Sequence, residues 1–85
     1  MTREPSWTKP AIKDLRRLDA ITEKRIHRAV ERLASAGHGD VKRLVGRDSE
    51  WRLRVGDWRV TFTLDSGTGG MLVLRVRHRS SVYDD

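Results

Sequence analysis

The sequence predicts an α+β fold: an N-terminal edge strand and a helix hairpin packed on one face of a small, mainly antiparallel sheet. Two observations carry this reading. Residues 51–79 alternate apolar with basic or polar side chains at a period of two, and residues 11–18 and 26–33 place apolar side chains at helical spacing. The chain length suits one domain, residues 1–85, with a single modest core. The expected order is βααβββ.

Arg3–Trp7 is a strand candidate that Pro5 confines to a sheet edge. Thr8 then serves as an N-cap, with Pro10 tolerated in the first turn. Ala11, Ile12, Leu15 and Leu18 are expected to face inward and Lys13, Asp14, Arg16 and Arg17 outward. Asp19-Ala20-Ile21-Thr22 reads as a short connection with a cap residue at either end. In the second helix Ile26, Ala29, Val30 and Leu33 fall at i, i+3, i+4 and i+7. Its outer face carries Glu23, His27 and Glu31 together with Arg25, Arg28 and Arg32, and Gly37 supplies the stop signal. So short a connection makes the helices an antiparallel hairpin. Val41–Ser49 shows no strong period and leads into the sheet.

In the first sheet run Trp51, Leu53 and Val55 oppose Arg52 and Arg54. Gly56-Asp57 is a tight hairpin loop, since glycine takes positive φ without steric cost. That loop sets Val55 against Trp58 and Arg54 against Arg59. Trp58, Val60, Phe62 and Leu64 then alternate with Arg59, Thr61 and Thr63. The third run sets Leu72, Leu74 and Val76 against Val73, Arg75, Arg77 and Arg79, and apolar pairing places Arg77 beside Arg59. By parity Arg52, Arg54, Arg59, Arg75, Arg77 and Arg79 share the face the helices leave open. Like charges opposite one another destabilise a sheet by roughly 0.2–1 kcal/mol per pair, so a fold gains nothing from them. A polyanion ligand would. Arginine as a plain solvated outer residue is the weaker reading, because a solvated face usually mixes signs.

Eighteen Lys+Arg against twelve Asp+Glu give a formal charge of +6, which points to nucleic acid or an acidic protein partner. Cysteine is absent, so neither disulfides nor thiolate metal sites are available. His27, His38 and His78 lack ligand spacing, and no metal or cofactor is expected. Met1–Trp7 is charged and short of apolar residues, unlike a signal peptide, and no run approaches the ~20 apolar residues of a membrane span. The expected setting is soluble, cytoplasmic and free of membrane.

Two further side chains stand beside the arginines. His78 belongs by parity to the apolar face, where it packs at a strand end; if the strand stops before it, the imidazole turns into the basic cleft and can move a proton near neutral pH. Tyr83, the one tyrosine, lies four residues past Arg79 and joins the arginine face if the chain stays extended. There it can stack on a base or hydrogen-bond a phosphate or ribose hydroxyl; otherwise it packs over a sheet edge.

The run W-R-L-R-V-G-D-W-R-V-T-F, followed by V-L-R-V-R-H-R-S-S-V-Y and preceded by A-I-K-D-L-R-R-L, resembles the RelE/ParE toxins of type II toxin–antitoxin modules over nearly the whole chain. The closing H-R-S-S-V-Y looks like the RelE side. The resemblance implies a RelE-like fold and a ribosome-dependent mRNA endoribonuclease that inhibits translation. It also implies a cognate, RelB-like antitoxin as partner. The reaction it implies is metal-independent: a ribose 2′-hydroxyl attacks the adjacent phosphate. The same resemblance carries the family's cleft residues over to Arg52, Arg54, Arg59, Arg79 and Tyr83. Joined with the parity reading, the candidate catalytic residues are Arg59, Arg79, Tyr83 and His78, with Arg52, Arg54, Arg75 and Arg77 contacting RNA. Arg52 and Arg54 stand where better-known members often carry lysine, and Arg77 where glycine is common. Arginine, with a pKa of about 12 or more, cannot be a general base, so Tyr83, His78, Glu50 and water all remain open as proton acceptor. The alternatives are a ParE-like gyrase inhibitor on the same fold and a non-catalytic RNA-binding module.

Overall fold

The computed structural model describes residues 4–44, 46, 49–65 and 70–82. The elements are β1 (Ser6–Trp7), α1 (Lys9–Arg16), α2 (Ala20–Ala36), β2 (Asp40–Arg43), β3 (Glu50–Val55), β4 (Trp58–Leu64), β5 (Met71–His78) and one final helical turn, α3 (Arg79–Val82). The sheet order is β1-β5-β4-β3-β2, with β1 parallel to β5 and every other pairing antiparallel. The α+β class and the edge position of the first strand agree with the sequence. β2 is a strand that the expected βααβββ order lacks.

Local chemistry accounts for the helix ends. The Thr8 hydroxyl accepts the Ala11 N–H at 3.2 Å, capping α1. Asp19 caps α2 by accepting the Thr22 N–H at 3.1 Å and the Thr22 hydroxyl at 2.6 Å, so the expected four-residue connection shrinks and α2 starts at Ala20. Gly37 closes α2 in the left-handed region at φ 72°. Ala11 and Leu15 of α1 and Ile26 and Val30 of α2 are buried against Leu53, Val55, Val60, Phe62, Met71, Val73 and Val76 of the sheet. All helix packing is therefore on one sheet face, as the alternation requires. Among the described residues no helix is long and apolar enough to cross a membrane.

The β3–β4 register is the predicted one, Val55 opposite Trp58 and Arg54 opposite Arg59. Gly56 has φ 60° and Asp57 stays at negative φ, the pattern of a type II′ turn. A Cβ on Gly56 would also lie 3.1 Å from Nη2 of Arg25. Gly56→Ala is accordingly expected to cost about 1–2 kcal/mol, read from denaturant midpoints at unchanged slope.

The β4–β5 register places Arg59 opposite Arg77, again as expected, but it slips between Thr61 and Phe62. Thr61 faces Arg75 while Phe62 faces Val73, which leaves Leu74 as the extra residue of a β-bulge. The bulge reverses parity upstream of it. Met71 and Val73 are buried, whereas Leu72 is exposed, the opposite of the assignment from unbroken alternation. The same bulge strands backbone groups, and α1 satisfies them. The Thr8 hydroxyl donates to the Leu74 carbonyl at 2.8 Å, and the Val76 N–H donates to Oδ2 of Asp14 at 2.9 Å. Asp14, expected outside, is thus buried at 9 % exposure, and Ile12, expected inside, is exposed.

Candidate functional site

Cross-strand pairing arranges the open face in rows. One row runs Lys42, Arg52, Thr61, Arg75; the next runs Asp40, Arg54, Arg59, Arg77. Lys42 was missed from sequence because its strand is four residues long with a single apolar position, Val41, too short for alternation to register.

The six arginines do not form one cluster. Arg52, Arg54, Arg59 and Arg79 line a concavity of about 230 Å³ together with Gly56, Asp57 and Trp58. Three of them come from β3 and β4, whose backbones are fixed by the hairpin. Arg79 arrives from α3 and is moored there by its own N–H, which donates to the Asp57 carbonyl at 2.7 Å. Its guanidinium lies 3.7 Å from the Asp57 carboxylate, with both side chains well exposed. Such a surface pair contributes roughly 0–1 kcal/mol, so an anion of higher charge can displace it. Among the described residues Nε of Arg52 is buried without a hydrogen-bond partner.

Arg75 and Arg77 line a separate concavity of about 510 Å³ at the β5 edge, with Asp14, Arg17, Leu18, Trp58, Val76 and His78. Nε and Nη2 of Arg75 donate to the Asp14 carboxylate at 2.9 and 3.2 Å. Arg75, expected to contact RNA, is here a partner of the helix that clamps the bulge. Burial alone would push the Asp14 carboxyl up, but the hydrogen bonds from Arg75 and Val76 and the charges of Arg75 and Arg77 together hold it below the usual carboxylate range.

His78 stays inside β5, so the condition for its turning into the arginine cleft is not met. Its ring lies edge-on to Trp58, with centroids 5.1 Å apart. Nδ1 accepts the Ser80 N–H at 3.3 Å and lies 2.9 Å from the Ser80 hydroxyl. The chain does not remain extended towards Tyr83, since α3 begins at Arg79; Tyr83 itself lies outside the described residues. His27, read as an outer helix residue, is half-buried against Trp7, with ring centroids 4.9 Å apart. Among the described residues no group of three or more His, Cys, Asp or Glu could hold a metal.

Comparison with known proteins decides the family. The profile described as the ParE toxin of type II toxin–antitoxin systems, parDE, matches residues 6–83. The chain belongs to this family. It is a toxin of a type II toxin–antitoxin system, a member of the RelE/ParE superfamily. Toxin RelE3 of Methanocaldococcus jannaschii is 29% identical over 83 residues, covering 92% of each chain. A chain of a RelB–RelE antitoxin–toxin complex from Methanococcus jannaschii superposes with a TM-score of 0.78 at 26% identity, over 93% of this toxin and 95% of that chain. For the archaeal RelE–RelB complex from Pyrococcus horikoshii the TM-score is 0.77 at 24% identity, over 93% and 97% of the two chains, a likeness of fold.

Proposed function

We propose that the toxin is a ribosome-dependent mRNA endoribonuclease that inhibits translation. The observation that supports this best is the concavity in which Arg52, Arg54, Arg59 and Arg79 converge. Each guanidinium carries five donors in a planar fork that matches phosphate oxygens and stays charged at any working pH. In the proposed reaction a ribose 2′-hydroxyl attacks the adjacent phosphorus in line. The P–O5′ bond breaks, giving a 2′,3′-cyclic phosphate and a 5′-hydroxyl end. The 2′-hydroxyl gives up its proton and the departing 5′-oxygen gains one. Negative charge grows on the non-bridging oxygens, where Arg59 and Arg79 act as the clamp, while Arg52 and Arg54 hold the neighbouring backbone. Tyr83 is assigned to stacking on the nucleotide. His78 packs on Trp58 and lines the concavity at the β5 edge, and is given no proton-transfer role.

Asp57 is the one acidic side chain among the described residues lining this concavity. Asp57→Asn is expected to raise affinity for a single-stranded RNA about two- to fivefold, the equivalent of an exposed ion pair, measured by fluorescence anisotropy at fixed salt.

The partner is a cognate antitoxin, an inference supported by solved relatives that are RelB–RelE complexes. A second reading, inhibition of DNA gyrase, is favoured by the family profile itself, which is that of ParE. Translating a message with purified toxin and mapping its ends, beside a gyrase supercoiling assay, separates them. Cut message with normal supercoiling supports the first; intact message with inhibited supercoiling supports the second.

A further inference from the structure

The basic surface does not end at the concavity. Gly56 lines it, and Arg25 of α2 sits over that glycine, its Nη2, Nη1 and Cζ at 3.1, 3.3 and 3.4 Å from where a Cβ would stand. Arg28 and Arg32 follow at i+3 and i+7, within about 60° of arc of Arg25 on the helix surface. All three are exposed, and none forms an ion pair with a described residue. Glu23 and Glu31 share the helix but pair with none of them among the described residues. Unpaired cations in line on a rigid helix, touching the rim of an anion-binding hollow, form one continuous electrostatic track.

We propose that this stripe of Arg25, Arg28 and Arg32 is a second binding segment for the same single RNA strand, which leaves the concavity over the Gly56 turn and runs along α2. The inference rests on the concavity holding RNA, not on its cutting it. From Arg25 to Arg32 the helix advances about 10 Å, and a single strand, with six backbone bonds and so about 6 Å between successive phosphates, places some two phosphates along it. The stripe contacts backbone only and carries no sequence preference.

The test is salt-dependent binding of fluorescein-labelled oligouridine by the full chain, comparing wild type with an R25Q/R28Q/R32Q variant. For a 12-nucleotide strand the slope of log K against log salt is expected to fall in magnitude by about 1.4, from two lost phosphate contacts at ~0.7 each. For a 3-nucleotide strand, which fills only the concavity, the two proteins are expected to bind alike. That length dependence is what a loss of folding would not produce, since unfolding weakens both probes. Equal slopes on the long strand overturn the proposal, as does a loss seen on a hairpin duplex but not on the single strand. Failure to cut message, with the length-dependent difference intact, counts against the endonuclease reading and leaves this one standing.

Discussion

Replacing Arg59 and Arg79 together with alanine is expected to slow cleavage of ribosome-bound message by about 10³-fold or more, since one lost transition-state donor typically costs 10²–10³-fold. The two losses need not multiply, because groups acting on one phosphate work as a unit. Neither guanidinium belongs to the apolar core, so the melting temperature is expected to stay within a few degrees of wild type. Arg59→Lys keeps the charge but loses the planar fork, and is expected to recover only part of the rate. Single-turnover cleavage on programmed ribosomes reads both variants beside wild type. Undiminished cutting by the double variant would reject the clamp.

The largest effect on stability is expected at Asp14. Its carboxylate takes hydrogen bonds from Nε and Nη2 of Arg75 and from the Val76 N–H that the bulge strands. Asp14→Ala leaves that N–H buried and unpaired, a cost of about 1–3 kcal/mol, and removes charge-assisted bonds besides. Because the side chain of Arg75 is 42 % exposed, water takes up much of its lost partner. The expected total is about 2–3 kcal/mol, a fall of roughly 10–20 °C in melting temperature for a domain this small. The dependence on acid follows from the lowered pKa. Near its ordinary value of 3.8 the folded state binds fewer protons at Asp14 than the unfolded chain does. Its stabilising contribution is therefore complete above that value and is lost as pH falls through the lower, folded pKa. Wild type is expected to lose stability in that acid range by more than Asp14→Asn does, as equilibrium denaturation at stepped pH would record.

The bulge also explains what sequence could and could not foretell. Trp51–Leu64 was legible because a two-residue turn leaves one register and the alternation there is unbroken. The caps at Thr8 and Gly37 were legible because each side chain, or its absence, has one local use. Leu72, Leu74 and Val73 were misassigned because a bulge inserts one residue that no period announces, and one residue is enough to exchange the faces. Asp14 was misread for the same reason. A carboxylate among basic residues on a helix looks solvent-facing until a stranded N–H on a distant strand gives it something to hold. Of the arginine group, the part carried by the β3–β4 hairpin came through intact. Arg77 keeps its place opposite Arg59, yet it and Arg75 line a second concavity that α1 and Trp58 share.

In the proposed mechanism converging guanidiniums hold a phosphate while the neighbouring 2′-hydroxyl attacks it. The most direct measurement is cleavage of a ribosome-bound message that carries one 2′-deoxynucleotide at the mapped cut site. New 5′-hydroxyl ends are expected on the all-ribose message and none at that site on the substituted one. Equal cutting of both messages, or two full-length messages on ribosomes saturated with toxin, would contradict it.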